Sequence, residues 1–287
     1  MALTPEQVEA FHRDGYLLLE SFLSHSQCDA LLKRTYDIIA EADLNLHPTT
    51  TFSTRRDEES QHVKTDYFIN SGDKIRFFFE EGALDGEGKL KGAVDKSLNK
   101  IGHALHALEP EFQKVALGER MGELARSLDL QKPAVVQSMV IFKQPHFGGE
   151  VNTHQDSTFL YTSPMRLYGV WIALEDADLE NGCLWFAPGT HTTGIGRRML
   201  RTVKDGRIEL KFEGEDPRID PQRFVPVPVK KGGMVLIHGE VVHKSEENKS
   251  KRSRNIFTFH MYDAGRSEWS KDNWLQPTEQ LPFPHIY

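Results

Sequence analysis

The chain has 287 residues, of which 38% are hydrophobic, 10% aromatic and 27% charged. This composition is typical of a folded globular protein, and we expect a single domain over 1–287, with a mostly helical flank over 1–132 and a β core over 133–287. The net charge of -7 argues against nucleic-acid binding, because that function requires clustered basic side chains to neutralise phosphates.

The two cysteines, Cys28 and Cys183, are too few for a disulfide framework, and the N-terminus lacks the residue order of a signal peptide. No apolar run approaches the ~20 residues that are needed to span a bilayer. The last letters, PHIY, differ from the peroxisomal signal S-K-L. We therefore expect a cytoplasmic protein with no membrane span, and the nucleus is the alternative location.

The first elements along the chain are predicted helices that begin at capping boxes. Thr4 and Gln7 form one box, with a proline at the first helical position, and Ser24 and Gln27 form another. After the second box, apolar residues recur at helical spacing as far as Ala42. This pattern predicts a helix that buries one face against a sheet.

The segment 43–95 is irregular apart from the apolar block KIRFFFEEGAL at 74–84, which predicts a buried core strand. The stretch KSLNKIGHALHAL has apolar residues at helical spacing and predicts a second amphipathic helix. His103 and His106 lie three residues apart on it, a spacing that suits a metal on a helix face. Because no carboxylate or cysteine joins them, we favour a structural role for both.

From Pro133 onwards, short runs rich in β-branched and aromatic residues alternate with turns such as HFGGE, DLENG and KKGG. The predicted strands are AVVQSMVIF, RLYGVWIAL, CLWFAP, FVPVPV, GMVLIH and NIFTFHMY. Several short strands without intervening helices predict a sandwich or barrel from one antiparallel system. A small barrel leaves an open mouth, where polar side chains of facing strands converge.

His154 and Asp156, in the run VNTHQDSTFLY, are candidate metal ligands together with His243. In an extended strand, residues two positions apart point to the same face, so the first two can bind one ion. The third ligand must then come from a strand that lies alongside. Two imidazoles and one carboxylate suit ferrous iron, because they occupy one face of an octahedron and leave three positions open.

Two other groups of residues offer similar ligands. His12 and Asp14 repeat the same pattern, but a glycine follows them where a helix would end, so we predict a solvated last turn. His238, Glu240 and His243 lie close together in LIHGEVVHK and could form a compact triad. However, the glycine after the strand MVLIH predicts a turn, and positions two apart across a turn need not share a face. We therefore favour the first set.

The basic segment KSKRSR at 249–254 is predicted to be a solvated turn that leads into a strand, apart from Arg254. A guanidinium is a planar fork that binds a carboxylate through two parallel hydrogen bonds. Arg252 has the same strand parity but lies nearer the turn. Arg254 is therefore our candidate anchor for a dicarboxylate co-substrate.

The segment from HQD through NGCLWFAPGTH to GEVVHKSEENKSKRSRNIFTFH resembles the phytanoyl-CoA dioxygenase family of iron(II)- and 2-oxoglutarate-dependent oxygenases. FHRDGYLLLESFL resembles the N-terminal part of that family, and the similarity includes KIRFFFE, KIGHALHA, FKQPHFGGE and NWLQPTEQLPFPHIY. The resemblance implies a mainly β fold with flanking helices, namely a double-stranded β-helix, which is a jelly-roll or cupin-like barrel.

The resemblance also implies which residues bind the metal and the co-substrate. The Fe(II) ligands of the family fall on His154, Asp156 and His243, so that His238 and Glu240 become structural neighbours. The positions that bind or contact 2-oxoglutarate in similar proteins fall on Arg254, Ser245, Lys96, Met139 and Trp171.

The reaction implied is the decarboxylation of 2-oxoglutarate by O2 to succinate and CO2, coupled to hydroxylation of a substrate C–H bond, with ascorbate as a candidate reductant. The carboxylate of Asp156 favours hydroxylation, since halogenases of this superfamily replace it with a small residue. We expect an unidentified small-molecule substrate, such as a lipid or acyl derivative and not necessarily phytanoyl-CoA. The alternatives are a protein or peptide hydroxylase or demethylase, and a non-catalytic, cupin-like metal-binding protein.

Overall fold

The computed structural model describes residues 2–43, 47–51, 65–146 and 148–287, which are mainly β with some helices. The helices are α1 (Pro5–Asp14), α2 (His25–Glu41), α3 (Asp66–Ile69), α4 (Leu105–Leu108), α5 (Pro110–Ala116) and α6 (Glu119–Ser127). The strands are β1 (Tyr16–Leu19), β2 (Ile75–Phe79), β3 (Leu98–His103), β4 (Pro133–Ile141), β5 (Val151–His154), β6 (Thr162–Ser163), β7 (Leu167–Ala173), β8 (Leu184–Phe186), β9 (Arg197–Lys204), β10 (Arg207–Gly214), β11 (Val225–Val227), β12 (Met234–His238), β13 (His243–Ser245), β14 (Ile256–Asp263) and β15 (Glu268–Trp269).

Two antiparallel sheets pack against each other across a buried core. The large sheet has seven strands in the order β1-β12-β7-β14-β4-β3-β2, and the small sheet has four in the order β11-β8-β13-β5. Trp171 and Val235 of the large sheet share one hydrophobic cluster with Leu184 and Phe186 of the small sheet. The strand pairs β9–β10 and β6–β15 lie outside these two sheets.

The helices cover the other face of the large sheet. Leu31 of α2 belongs to the same buried cluster as Leu236 of β12 and Phe257 of β14. Both predicted capping boxes are confirmed at the starts of α1 and α2. The predicted end of α1 is confirmed as well, because Gly15 follows it with a φ of 82°, a conformation that favours glycine.

The predicted second helix in KSLNKIGHALHAL is wrong. Leu98–His103 forms β3, which pairs with β2 on one side and β4 on the other, and only Leu105–Leu108 is helical. Cross-strand pairing on both sides outweighed the helical spacing of the apolar residues. The predicted flank over 1–132 is consequently less helical than expected, since β1, β2 and β3 all join the large sheet.

The predicted core strand in KIRFFFEEGAL is confirmed as β2, and its three phenylalanines are buried. The six runs predicted after residue 133 are confirmed as β4, β7, β8, β11, β12 and β14. The hairpin of β9 and β10 was not predicted, because its strands are largely polar, only Met199 and Leu210 of them are buried, and no apolar run marks them. Residues 44–46 and 52–64 of the segment predicted to be irregular lie outside the described residues. Among the described residues, no helix has both the length and the apolar composition for crossing a bilayer.

Candidate metal centre

The three predicted metal ligands lie together at one edge of the small sheet. His154 ends β5, Asp156 begins the short 3-10 helix that follows, and His243 begins β13, where it pairs directly with His154. Asp156 Oδ1 lies 3.5 Å from His154 Nε2 and 3.6 Å from His243 Nε2. Two atoms that bind one ion at about 2 Å cannot be more than about 4 Å apart, and both distances meet this condition.

Both histidines present a nitrogen lone pair to the space between the three side chains. His154 Nδ1 donates to the carbonyl of Asn152 at 2.8 Å, and His243 Nδ1 donates to the carbonyl of Val241 at 3.1 Å. Since a carbonyl can only accept, the proton of each neutral ring is on Nδ1, and Nε2 carries the lone pair that binds a metal. Among the described residues, these three form the cluster of His, Cys, Asp and Glu side chains that could hold an ion.

The protonation states also suit a metal. Burial alone would raise the pKa of Asp156, but His260 and His243 outweigh burial and hold that pKa well below its usual range. Burial, together with the neighbouring His154, lowers the pKa of His243 to about 4. An ionised carboxylate and a neutral imidazole are the forms that bind metal ions, so binding requires little proton release.

The alternative ligand sets are not assembled in the described structure. His12 is exposed in the last turn of α1, as predicted. The ring of His238 packs against His191, with centroids 4.9 Å apart, and its Nδ1 accepts from the backbone N–H of Glu240. His103 and His106 bind different serines, with Nδ1 2.8 Å from Ser71 Oγ and 2.9 Å from Ser138 Oγ respectively.

Arg254 is the largest fully buried side chain of the described residues, with 2% of its surface exposed. No carboxylate lies within ion-pair distance of its guanidinium, and Nε has no hydrogen-bond partner among the residues the structure describes. Burial lowers the pKa of Arg254 to about 10. Arg252, by contrast, is half-exposed and forms ion pairs with Asp178 and Glu180. A buried cation without an anion fits a site that receives a carboxylate from a ligand.

The remaining predicted co-substrate residues occupy different positions. The guanidinium carbon of Arg254 lies 5.5 Å from the centre of the Trp171 ring. Ser245 is buried on β13, and its hydroxyl donates to the carbonyl of Gly182 at 3.0 Å. Met139 lines a cavity of about 190 Å³ together with His154 and Asp156. Lys96 is not brought to this cavity: its side chain is 64% exposed and forms an ion pair with Asp95.

The cavity is also lined by polar residues that sequence patterns did not single out, among them Lys100, Gln137, Lys143 and His260. Lys100, Gln137 and His260 lie inside observed strands, where a polar residue between apolar neighbours gives only a weak signal, and Lys143 lies just beyond the end of β4. The alternation of side chains along a strand was the usable signal for two of them. Gln137 lies on the same strand face as Met139, and His260 is an even number of residues from Arg254.

The family model of phytanoyl-CoA dioxygenase (PhyH) matches residues 11–256. The chain belongs to the phytanoyl-CoA dioxygenase family. It is 56% identical over 287 residues to phytanoyl-CoA dioxygenase domain-containing protein 1 of Bos taurus, with 99% of each chain covered.

Two crystal structures share the fold at low sequence identity. The non-heme alpha ketoglutarate dependent carbocyclase SnoK from nogalamycin biosynthesis is 19% identical with a TM-score of 0.60, over 98% of this chain and 96% of that chain. EctD from S. alaskensis, solved with 2-oxoglutarate and 5-hydroxyectoine, is 19% identical with a TM-score of 0.60, over 92% of this chain and 77% of that chain.

Proposed function

We propose that this protein is an Fe(II)- and 2-oxoglutarate-dependent dioxygenase, which decarboxylates 2-oxoglutarate to succinate and CO2 and hydroxylates an unidentified substrate. The observation that carries the proposal is the combination of an assembled His154, Asp156 and His243 triad with a buried guanidinium at Arg254. A triad alone suits many metal functions. A buried cation that lacks a carboxylate partner in the described structure adds the requirement for an anionic ligand.

The proposed fold is a double-stranded β-helix. Its support is the order of the strands: β12-β7-β14-β4 in the large sheet and β11-β8-β13-β5 in the small sheet. Along the chain, successive strands of the barrel alternate between the two sheets except at β8 and β11, which are neighbours in the small sheet. This arrangement brings β5 and β13 together, so that the ligands of both strands lie at one mouth.

In the proposed site, His154, Asp156 and His243 would hold the iron through Nε2, Oδ1 and Nε2, a set of donors that suits ferrous iron with positions to spare for co-substrate and O2. Bound iron would supply the activation of O2 and the oxidation of the substrate. Arg254 would bind the distal carboxylate of 2-oxoglutarate, with Trp171 against its guanidinium. The roles of Ser245, Met139 and Lys96 stay predictions, and Lys96 would have to move to contribute.

A small molecule is the favoured substrate class. The cavity beside the triad has aromatic walls from Phe68, Phe159 and Trp274, and the buried polar side chains of Gln137 and His260 also line it. A non-catalytic metal-binding protein is the second candidate, but a purely structural ion does not require open coordination positions or a separate anion site. Detection of a hydroxylated product in a screen of lipids, acyl-CoA esters and peptides would separate the small-molecule and peptide classes.

The test of the proposal measures succinate release from 2-oxoglutarate with Fe(II), ascorbate and O2 in the wild type and in His154→Ala. We expect turnover in the wild type and its loss in the variant, because two ligands do not hold ferrous iron in this geometry. His12→Ala is the matched control, since it removes the histidine of the other H-x-D pattern and should keep full activity. Equal rates in the wild type and His154→Ala, or none in the wild type, would rule out the proposal.

A further inference from the structure

The carboxylate of Asp156 is held on both of its oxygens, and only one of them faces the other metal ligands. Oδ1 lies 3.5 and 3.6 Å from the Nε2 atoms of His154 and His243. Oδ2 points the other way and lies 3.2 Å from Nε2 of His260, which belongs to β14 of the large sheet. The carboxylate therefore bridges the two sheets.

The proton of His260 is directed to Asp156 by a second contact. Gln137 lies on the neighbouring strand β4 and is the cross-strand partner of His260. Its Nε2 lies 3.1 Å from His260 Nδ1. An amide nitrogen can only donate, so Nδ1 accepts and the proton of the neutral ring is on Nε2. That N–H then donates to Oδ2. Gln137 and His260 are 6% and 7% exposed, so water competes little for these bonds.

A glycine leaves the space in which this contact forms. Gly169 of β7 is the direct cross-strand partner of His260. A Cβ atom at this position would lie 2.9 Å from Asp156 Oδ2, 3.3 Å from the Cβ of Ile237 and 3.6 Å from His260 Cδ2. The first of these distances is too short for a real contact. The bare backbone of Gly169 therefore allows the carboxylate to approach the imidazole.

We propose that Gln137 and His260 are positioning residues, which hold Oδ2 of Asp156 away from the metal so that the carboxylate binds iron through Oδ1 alone. This inference rests on the proposed function. A carboxylate that bound through both oxygens would occupy a fourth coordination position, and one position fewer would remain for co-substrate and O2. A fixed ligand orientation also raises metal affinity, because less freedom is lost on binding.

The test uses Mn(II) as a redox-inactive probe, with binding to the full-length apo-protein measured by titration under electron paramagnetic resonance. Relative to the wild type, we expect His260→Leu to weaken Mn(II) binding about 10- to 100-fold, the usual range for loss of a group that orients a metal ligand. His260→Gln keeps an N–H near the position of Nε2 and should recover most of the affinity. Gln137→Leu should have a smaller effect, because it leaves His260 in place and removes only the hydrogen bond that keeps the proton of its ring on Nε2.

His106→Leu is the matched control, since His106 is buried and bonded to a serine but does not line the cavity. Its affinity for Mn(II) should equal that of the wild type, with folding of every variant checked by circular dichroism. Wild-type affinity in folded His260→Leu, or no recovery in His260→Gln, would overturn the positioning role while the metal site stands. If His154→Ala binds Mn(II) as well as the wild type does, the metal site and the proposed function fail together.

Discussion

Replacement of Arg254 by methionine tests the claim that the guanidinium awaits an anionic ligand. Burial lowers the pKa of Arg254 to about 10, roughly 2.5 below the ordinary value of an arginine. A difference of that size corresponds to about 3 kcal/mol of free energy that the folded protein loses by keeping the charge buried. The pKa of Arg254 in the folded protein and the ordinary pKa of an arginine both lie far above neutral pH, so this cost is constant below about pH 9. A comparison of the free energies of unfolding of the wild type and a variant without the charge will therefore reveal it.

Arg254→Met keeps a side chain of similar length and removes the charge. In the absence of 2-oxoglutarate, we expect the free energy of unfolding to stay equal or to rise by up to about 3 kcal/mol, less the packing lost against Trp171. In the wild type, 2-oxoglutarate at a hundred times its dissociation constant should add about 3 kcal/mol. In the variant, this stabilisation should be absent at the same concentration.

The assay is urea unfolding with and without 2-oxoglutarate, in the presence of Mn(II). Arg252→Met is the control, because Arg252 is half-exposed and already paired with Asp178. It should change the free energy of unfolding by less than about 1 kcal/mol and leave the effect of 2-oxoglutarate intact. A loss of several kcal/mol in ligand-free Arg254→Met would refute the reasoning, since it would mean that the protein itself satisfies the guanidinium.

Three further outcomes follow from individual contacts. Ser24→Ala removes the hydroxyl that accepts from Gln27 N, and it should lower the free energy of unfolding by about 1 kcal/mol in a urea titration, whereas Ser24→Thr should not. Burial lowers the pKa of Lys100 to about 7, so between pH 7 and 10 the unfolded chain binds the extra proton and stability rises with pH. Lys100→Met removes the titrating amine, so its free energy of unfolding should not show this rise. The difference in free energy of unfolding between the variant and the wild type should therefore shift by about 2 kcal/mol in favour of the wild type from pH 7 to pH 9, and an unchanged difference would contradict the buried amine. Burial raises the pKa of Cys28, and that of Cys183 to about 11, so a thiol reagent at pH 8 should label neither in the native protein and both in guanidinium chloride.

Much of the architecture could be predicted because its signals are local. The capping boxes at Thr4 and Ser24 depend on contacts three residues apart, and both helices begin where those contacts predict. Short runs such as GMVLIH are strands because β-branched side chains fit a buried pleated surface. The hairpin of β9 and β10 lacks such a run, and its pairing is visible only in the fold.

The stretch that contains His103 shows where local patterns fail. Its apolar spacing fits a helix, yet Leu98–His103 is a strand between β2 and β4. Helix propensity is worth only a few tenths of a kcal/mol per residue, and two flanking strands provide hydrogen bonds and burial that exceed it. These partners lie in other parts of the sequence, so the pattern within the stretch could not reveal them.

The candidate site divides in the same way. The sequence by itself determined which side chains were available: the H-x-D pair His154 and Asp156, a glycine that separates His238 from Glu240, and an arginine at 254. The strand face predicted for the pair was wrong for Asp156, which lies in the 3-10 helix after β5. Only the tertiary structure decided that His243 lies opposite His154, that Arg254 is buried while Arg252 is exposed, and that His260 meets Asp156. Gln137 and His260 are 123 residues apart in the chain, and strand pairing alone brings them together. Local periodicity records which face a residue occupies, whereas the partner on the opposing strand depends on how the whole barrel closes.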